Sequence, residues 1–187
     1  MKLRRWRVLL SSLFTTFVVL VVGASIVPAP STYAIGTHSI ILPYGASGYH
    51  YLVVAHGGDP GFQKPGYNDS SFNQNGVAAF GYSADGCPLD SRIKTPWASN
   101  TDLLVRITIN LPPGTTGLKI HVAIDNDVIV YWNGDKFGSA KHEQCAQLNT
   151  LDKGVPNADI TPGANVLALR AIDRGSSTFL DLEVTQK

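Results

Sequence analysis

The residues best suited to chemistry in this chain are oxygen donors and aromatic rings, gathered in stretches rich in Gly, Pro, Asn and Ser. Asp59, Asn68, Asp69 and Asn75 fall between His56 and Asn75 and carry the hard oxygens that calcium prefers, although no Asp-x-Asp-x-Asp-Gly spacing accompanies them. Asp125 and Asn126 stand side by side ahead of an apolar run. Such a pair can bind a sugar hydroxyl, hold a hard cation or bond nearby backbone at a strand end. Trp97, Tyr67 and Tyr82 offer ring faces that suit the C–H face of a sugar. Trp97, flanked by Pro96 and polar residues, is the foremost of these, whereas Trp132 lies in an apolar run and reads as core.

Signatures of catalysis are missing. The chain has no G-x-S-x-G elbow and no H-E-x-x-H pair, and His38, His50, His56, His121 and His142 share no metal-ligand spacing. The expectation is a protein that is not an enzyme. Two acids for hydrolysis can still be chosen from 14 carboxylates, so a small glycoside hydrolase stays as an alternative. Cys87 and Cys145, the only cysteines, are expected to bond to each other in an oxidising compartment. Two free thiols or a metal pair are the alternatives, and the lack of CxxC spacing argues against zinc.

The address comes from the first residues. Lys2, Arg4, Arg5 and Arg7 precede an apolar run from Val8 to Ile26 and then a Pro-containing stretch ending in Ser31-Thr32-Tyr33-Ala34. That order predicts a signal peptide over 1–34, cleaved after Ala34, and a secreted domain over 35–187. The alternative is a retained anchor at the cell surface, since Leu9 to Ile26 reaches the lower limit of a spanning helix. Four of the 15 Lys and Arg residues lie in the leader, leaving 11 against 14 acids, a formal charge of −3. Such a domain lacks the basic footprint for nucleic acid or, once cleaved, for an anionic membrane.

The positioning elements read as strands. Ile40 to Leu42 and Tyr51 to Ala55 form an opening pair, the first at an edge, and Val77 to Tyr82 a short strand beyond a long irregular loop. Leu103, Val105, Ile107, Ile109 and Leu111 alternate with Arg106, Thr108 and Asn110, the period of a strand with one buried face. Leu118 to Ile124 repeats it, and Val128 to Trp132, apolar on both faces, reads as a separate central strand. It runs into Asn133-Gly134, which predicts a type I′ hairpin turn. A polar tract follows from Gly138 to Asn157, then strands over Val166 to Ile172 and Thr178 to Val184. About eight short strands without helical periodicity predict an all-β fold, an antiparallel β-sandwich with a barrel as competitor.

Four stretches resemble the galactose-binding-like jelly-roll domains of secreted glycosidases and free-standing exported proteins. Asn68-Asp69-Ser70-Ser71-Phe72 followed by Ala78-Ala79-Phe80-Gly81-Tyr82 is similar to that family's opening segment, with Phe72 where Trp is commoner. Thr95-Pro96-Trp97 followed by Asn100 to Arg106 resembles the lead into its first long core strand. Asp125-Asn126 through Asn133-Gly134 resembles its hairpin, and Pro162-Gly163-Ala164-Asn165-Val166-Leu167-Ala168 its return strand. The likeness covers about residues 48 to 185. It implies a jelly-roll module that binds glycan or another extracellular ligand through its loops, with a structural calcium as a possible cofactor. A structural or adhesive surface protein mediating protein contacts is the other reading of the same fold.

Overall fold

Alternating apolar residues build the strands, and the computed structural model, which describes residues 38–187, contains eleven of them and no α-helix among the described residues. The predicted leader lies outside these residues. The strands are β1 (Ser39–Leu42), β2 (Ser47–Val54), β3 (Asn73–Val77), β4 (Phe80–Tyr82), β5 (Thr95–Pro96), β6 (Asp102–Leu111), β7 (Leu118–Trp132), β8 (Asp135–His142), β9 (Leu151–Gly154), β10 (Gly163–Ile172) and β11 (Thr178–Gln186).

Strand β7 organises the rest. Its first half pairs with β9 and β11, and β11 in turn pairs with β1 and β4. Its second half pairs with β8 and β10, followed by β6, β2 and β3. All pairings are antiparallel except the short β4–β5 contact. The two groups of strands, joined through β7, enclose one apolar cluster. Ile120, Val122, Leu180 and Leu182 from one group meet Leu103, Val105, Val130 and Leu169 from the other. The arrangement is therefore all-β, mostly antiparallel and sandwich-like.

Three expectations need correction. The two strands predicted over 118–132 are one strand of 15 residues. Leu118, Ile120, Val122, Ile124, Val128, Val130 and Trp132 all face inward, so the period of two passes through Asp125-Asn126-Asp127 unbroken. Asp125 and Asn126 consequently stand in mid-strand, where β7 passes from one group of partners to the other, and not at a strand end. The single strand predicted over 77–82 divides between β3 and β4, and the polar tract after Gly138 contains the rest of β8 and all of β9.

The outer face of β6 is only partly open. Thr108 and Asn110 are exposed, but Leu104 and Arg106 are buried. The 56–72 segment lays Phe62 and Phe72 across Leu104, Val166 and Ala168, forming a second apolar cluster. Burying each ring contributes on the order of 1.5–3 kcal/mol, which ties the long loop to the sheet. Two arginines complete the attachment. Arg106 donates from Nε to Asp69 Oδ2 at 2.9 Å and from Nη1 to the carbonyls of Phe62 and Lys64. Arg170 donates to Asp102 Oδ2 at 2.6 Å and to the carbonyl of Gly58 at 2.7 Å.

The hairpin turn between β7 and β8 has Asn133 at φ 51° and Gly134 at φ 97°, both in the left-handed region that a type I′ turn demands. Trp132 is buried beside it and its indole N–H donates to the carbonyl of Asp159 at 3.0 Å.

Candidate functional site

The predicted site residues separate into three places. Trp97 is fully buried among core side chains, and its indole N–H donates to Thr101 Oγ1 at 3.1 Å. It presents no ring face to a sugar, which corrects the expectation that it leads the stacking residues. Tyr82 stands exposed at the end of β4, opposite Thr178. Tyr67 lies on the 56–72 loop, its hydroxyl donating to Asp59 Oδ2 at 2.5 Å and the Arg106 guanidinium 5.6 Å from its ring centre.

Protein donors engage three of the Asp59, Asn68, Asp69 and Asn75 side chains. Asp69 is held by Arg106 and by His50 Nδ1 at 3.0 Å, a neighbourhood that replaces a cation with protein cations and donors. Burial raises the Asp69 pKa, but the bonds from Arg106 and His50 outweigh it and leave the carboxyl below its ordinary value. Asp59 is taken by Tyr67, Asn68 accepts from the amide of Ser70, and Asn75 points to solvent. Among the described residues no three His, Cys, Asp or Glu side chains converge as a metal-binding group.

Asp125 and Asn126 belong to a different constellation. They floor a groove of about 190 Å³ whose walls include Asp85, Glu143, Gly175, Ser176 and Ser177. Three connections converge there: the one after β4, the one after β8, and the turn from β10 to β11. The disulfide Cys87–Cys145 joins the first two and itself lines the groove. Asp85 Oδ2 accepts from the hydroxyls of Ser176 and Ser177, both at 2.7 Å, which fastens the third connection to the first.

The electrostatics of this groove are unbalanced toward negative charge. Asp125 is pushed up to about 6, first by burial and then by the charge of Asp173. Asp173 is fully buried; its Oδ2 accepts from the amide of Asn100, while Oδ1 has no hydrogen-bond partner. A buried carboxylate oxygen without a partner costs on the order of 1–3 kcal/mol or more. A Cβ at Gly175 would lie 4.0 Å from Asp173 Oδ1 and 3.9 Å from Asn126 Oδ1, so both oxygens lie close to Gly175, although Asp173 itself is buried beneath the groove lining. Two carboxylates and an amide oxygen, hard oxygens of the kind calcium takes, lie in this region, with Asn126 Oδ1 already accepting from the amide of Arg174 at 2.7 Å and Asp125 Oδ1 from Asn126 Nδ2 at 2.8 Å.

Asp173 was not legible as a site residue, since it follows an apolar strand run with no motif around it. Its only sequence signal is an acid placed between Ile172 and the Arg174-Gly175-Ser176-Ser177 turn.

A His56–Asp102 pair stands at the start of β6, away from the groove lining. His56 Nδ1 lies 2.8 Å from Asp102 Oδ1 and its Nε2 3.3 Å from Asn100 Oδ1, while Arg170 and the amide of Gly57 hold Asp102 Oδ2. The bond to Asp102, then that to Asn100, raises the His56 pKa above 6.5, with Asp102 and Asp173 adding charge attraction. A folded pKa raised this way gives stability that is fully present below the unfolded pKa and is lost as pH rises through the folded value. Thermal melts of His56→Gln should therefore fall below wild type most at about pH 5.5 and least at about pH 8.5. An equal difference at both values would show that the pair does not titrate.

No protein-family model matches the chain, and no curated protein sequence matches it. Among solved structures, the β-glucuronidase of Bacteroides uniformis is similar with a TM-score of 0.53 at 15% identity over 80% of this chain and 18% of that one. The β-glucuronidase 2 of the same organism, covalently bound to cyclophellitol-6-carboxylate aziridine, gives a TM-score of 0.50 at 16% identity with the same coverage, 80% and 18%. A PA14 sugar-binding domain from an RTX adhesin gives 0.41 at 15% identity over 77% of this chain and 91% of that one, too low a score to carry an argument. The chain spans 18% of the length of the glucuronidases, and at these identities the likeness establishes the fold alone.

Proposed function

We propose that this chain is a non-catalytic carbohydrate-binding module of galactose-binding-like jelly-roll type, in which Asp125, Asn126 and Asp173 hold a calcium ion that engages a glycan. The observation that carries this reading is the buried, unpartnered Oδ1 of Asp173 beside Asp125 and Asn126. Asp125, Asn126 and Asp173 would hold the cation, which would supply a hard Lewis acid for sugar hydroxyls. The protein's own part is to orient the oxygens. The middle of β7 fixes Asp125 and Asn126, and the disulfide and the Asp85–serine bonds hold the walls. A groove of about 190 Å³ accepts the edge of one sugar residue and is smaller than the enclosed clefts of about 300–1,000 Å³ typical of small-molecule sites. Tyr82, exposed and three residues before Asp85 in sequence, is the ring this reading assigns to stacking on a further residue.

The family resemblance, the glucuronidase-like fold and a disulfide compatible with an oxidising compartment support the reading. With them goes a secreted, mature domain over 35–187 after cleavage at Ala34. Calorimetric titration of calcium into chelator-treated protein is expected to show one site per chain, weakened by on the order of tenfold or more in Asp125→Ala and in Asp173→Asn. Unchanged calcium affinity in both variants would remove these residues from the proposal.

A further inference from the structure

A second cleft, of about 510 Å³, opens on the outer face of the sheet between β2, β6, β10 and the 56–72 loop. Ser47, His50, Tyr67, Asp69, Arg106 and Thr108 are among its lining residues. None belongs to the groove around Asp125. Val166, at its edge, lies six residues along β10 from Ile172, roughly 20 Å at the strand rise, so the two places are separate.

The cleft is built and not incidental. Arg106 is buried, fixed on one side by Asp69 and on the other by the carbonyls of Phe62 and Lys64. Asp69 receives both Arg106 and His50 through one oxygen, Oδ2, which leaves Oδ1 as an acceptor. His50 spends Nδ1 on that bond and has no protein partner for Nε2 among the described residues. Tyr67 is locked by Asp59 at its hydroxyl and by an edge contact to Phe72, with ring centres 5.9 Å apart. The fixed charges of Arg106 and Asp69 cancel, so the remaining groups are uncharged or weakly charged donors and acceptors: the His50 ring, the Ser47 and Thr108 hydroxyls and the free carboxylate oxygen. An aromatic ring beside such groups, held before any ligand arrives, suits a polyol and gives an anion no uncompensated cation to meet. The volume falls within the usual range for small-molecule sites.

We infer that this cleft is a second saccharide subsite, selective for a neutral pyranose and independent of calcium. The inference rests on the glycan-binding reading above and adds a site of different chemistry to it. A chain bearing both sites could engage two residues of one glycan or two neighbouring glycans, gaining avidity without new contacts.

The test is amide-shift NMR of the domain titrated with D-galactose, D-glucose, D-mannose and N-acetyl-D-glucosamine, each in calcium and in EGTA. At least one sugar should move the amides of Gly48, His50, Tyr67 and Thr108 equally in both conditions. Thr108→Arg, at an exposed position and with circular dichroism matching wild type, should weaken that response at least tenfold without altering calcium-dependent shifts at Gly175 to Ser177. Shifts confined to Gly175–Ser177 and lost in EGTA would uphold the glycan reading and overturn the second subsite. No shift in either place with any of the sugars would overturn both. Sulfate moving the cleft amides while no sugar does would overturn the neutral-pyranose assignment.

Discussion

Replacing Cys87 and Cys145 together by serine is expected to lower the stability of the folded domain by about 4 kcal/mol in the loop-entropy model. The bridge closes a sequence separation of 58 residues, long enough for the unfolded chain to regain much entropy on its loss. Against a total of about 5–15 kcal/mol, the melting temperature should drop by roughly 8–16 °C, measured by circular dichroism with and without reductant. The consequence extends to function. Both cysteines line the groove over Asp125, so calcium affinity should fall even in the fraction that stays folded, because the 83–87 and 143–145 walls lose their covalent tie. A variant with wild-type melting would show that the bridge is dispensable, and a destabilised variant with unchanged calcium affinity would uncouple it from the site.

Trp97→Ala should cost about 3–5 kcal/mol, the range for emptying a large aromatic side chain from a packed core. The ring packs within the main apolar cluster, and the same residue bridges strands through its backbone: its N–H donates to the carbonyl of Gly81 at 3.1 Å and its carbonyl accepts from Thr178 Oγ1 at 2.8 Å. Those backbone bonds survive the substitution, whereas the cavity and the lost bond to Thr101 do not. Urea titration should place the midpoint well below wild type, with Trp97→Phe between them. Glycan affinity of the folded fraction should be unchanged, which separates a core residue from a sugar platform. Normal stability with lost binding would restore Trp97 to the ligand surface.

What the sequence revealed follows the physics of each residue. Strands such as β6, β10 and β11 were legible because one face is buried in the main core and the period of two is written in Val, Ile and Leu. The pairing of Cys87 with Cys145 was legible because only two cysteines exist. Trp97 misled because Ala98, Ser99 and Asn100 mark a loop, although buried Thr95, exposed Pro96 and buried Trp97 already alternate as a short strand does. Arg106 read as a solvent residue, since nothing local announces that a loop some forty residues upstream will cover it and bring Asp69 to its guanidinium. Asp125 and Asn126 were recognised as chemically able, but Asp173 was not joined to them. The three meet only because β7 changes partners at Asp125-Asn126 while the β10–β11 turn folds over that point, a long-range outcome of topology that no local pattern encodes.

The most direct measurement is glycan-array binding of the domain in calcium and in EGTA, with Asp173→Asn run in parallel and circular dichroism confirming that its fold is intact. Retention on a defined set of glycans in calcium, reduced in EGTA and in Asp173→Asn, is the expected result. Retention that is identical in calcium, in EGTA and in the variant would contradict a calcium-dependent site at Asp125, Asn126 and Asp173. No retention on any glycan would contradict carbohydrate binding itself.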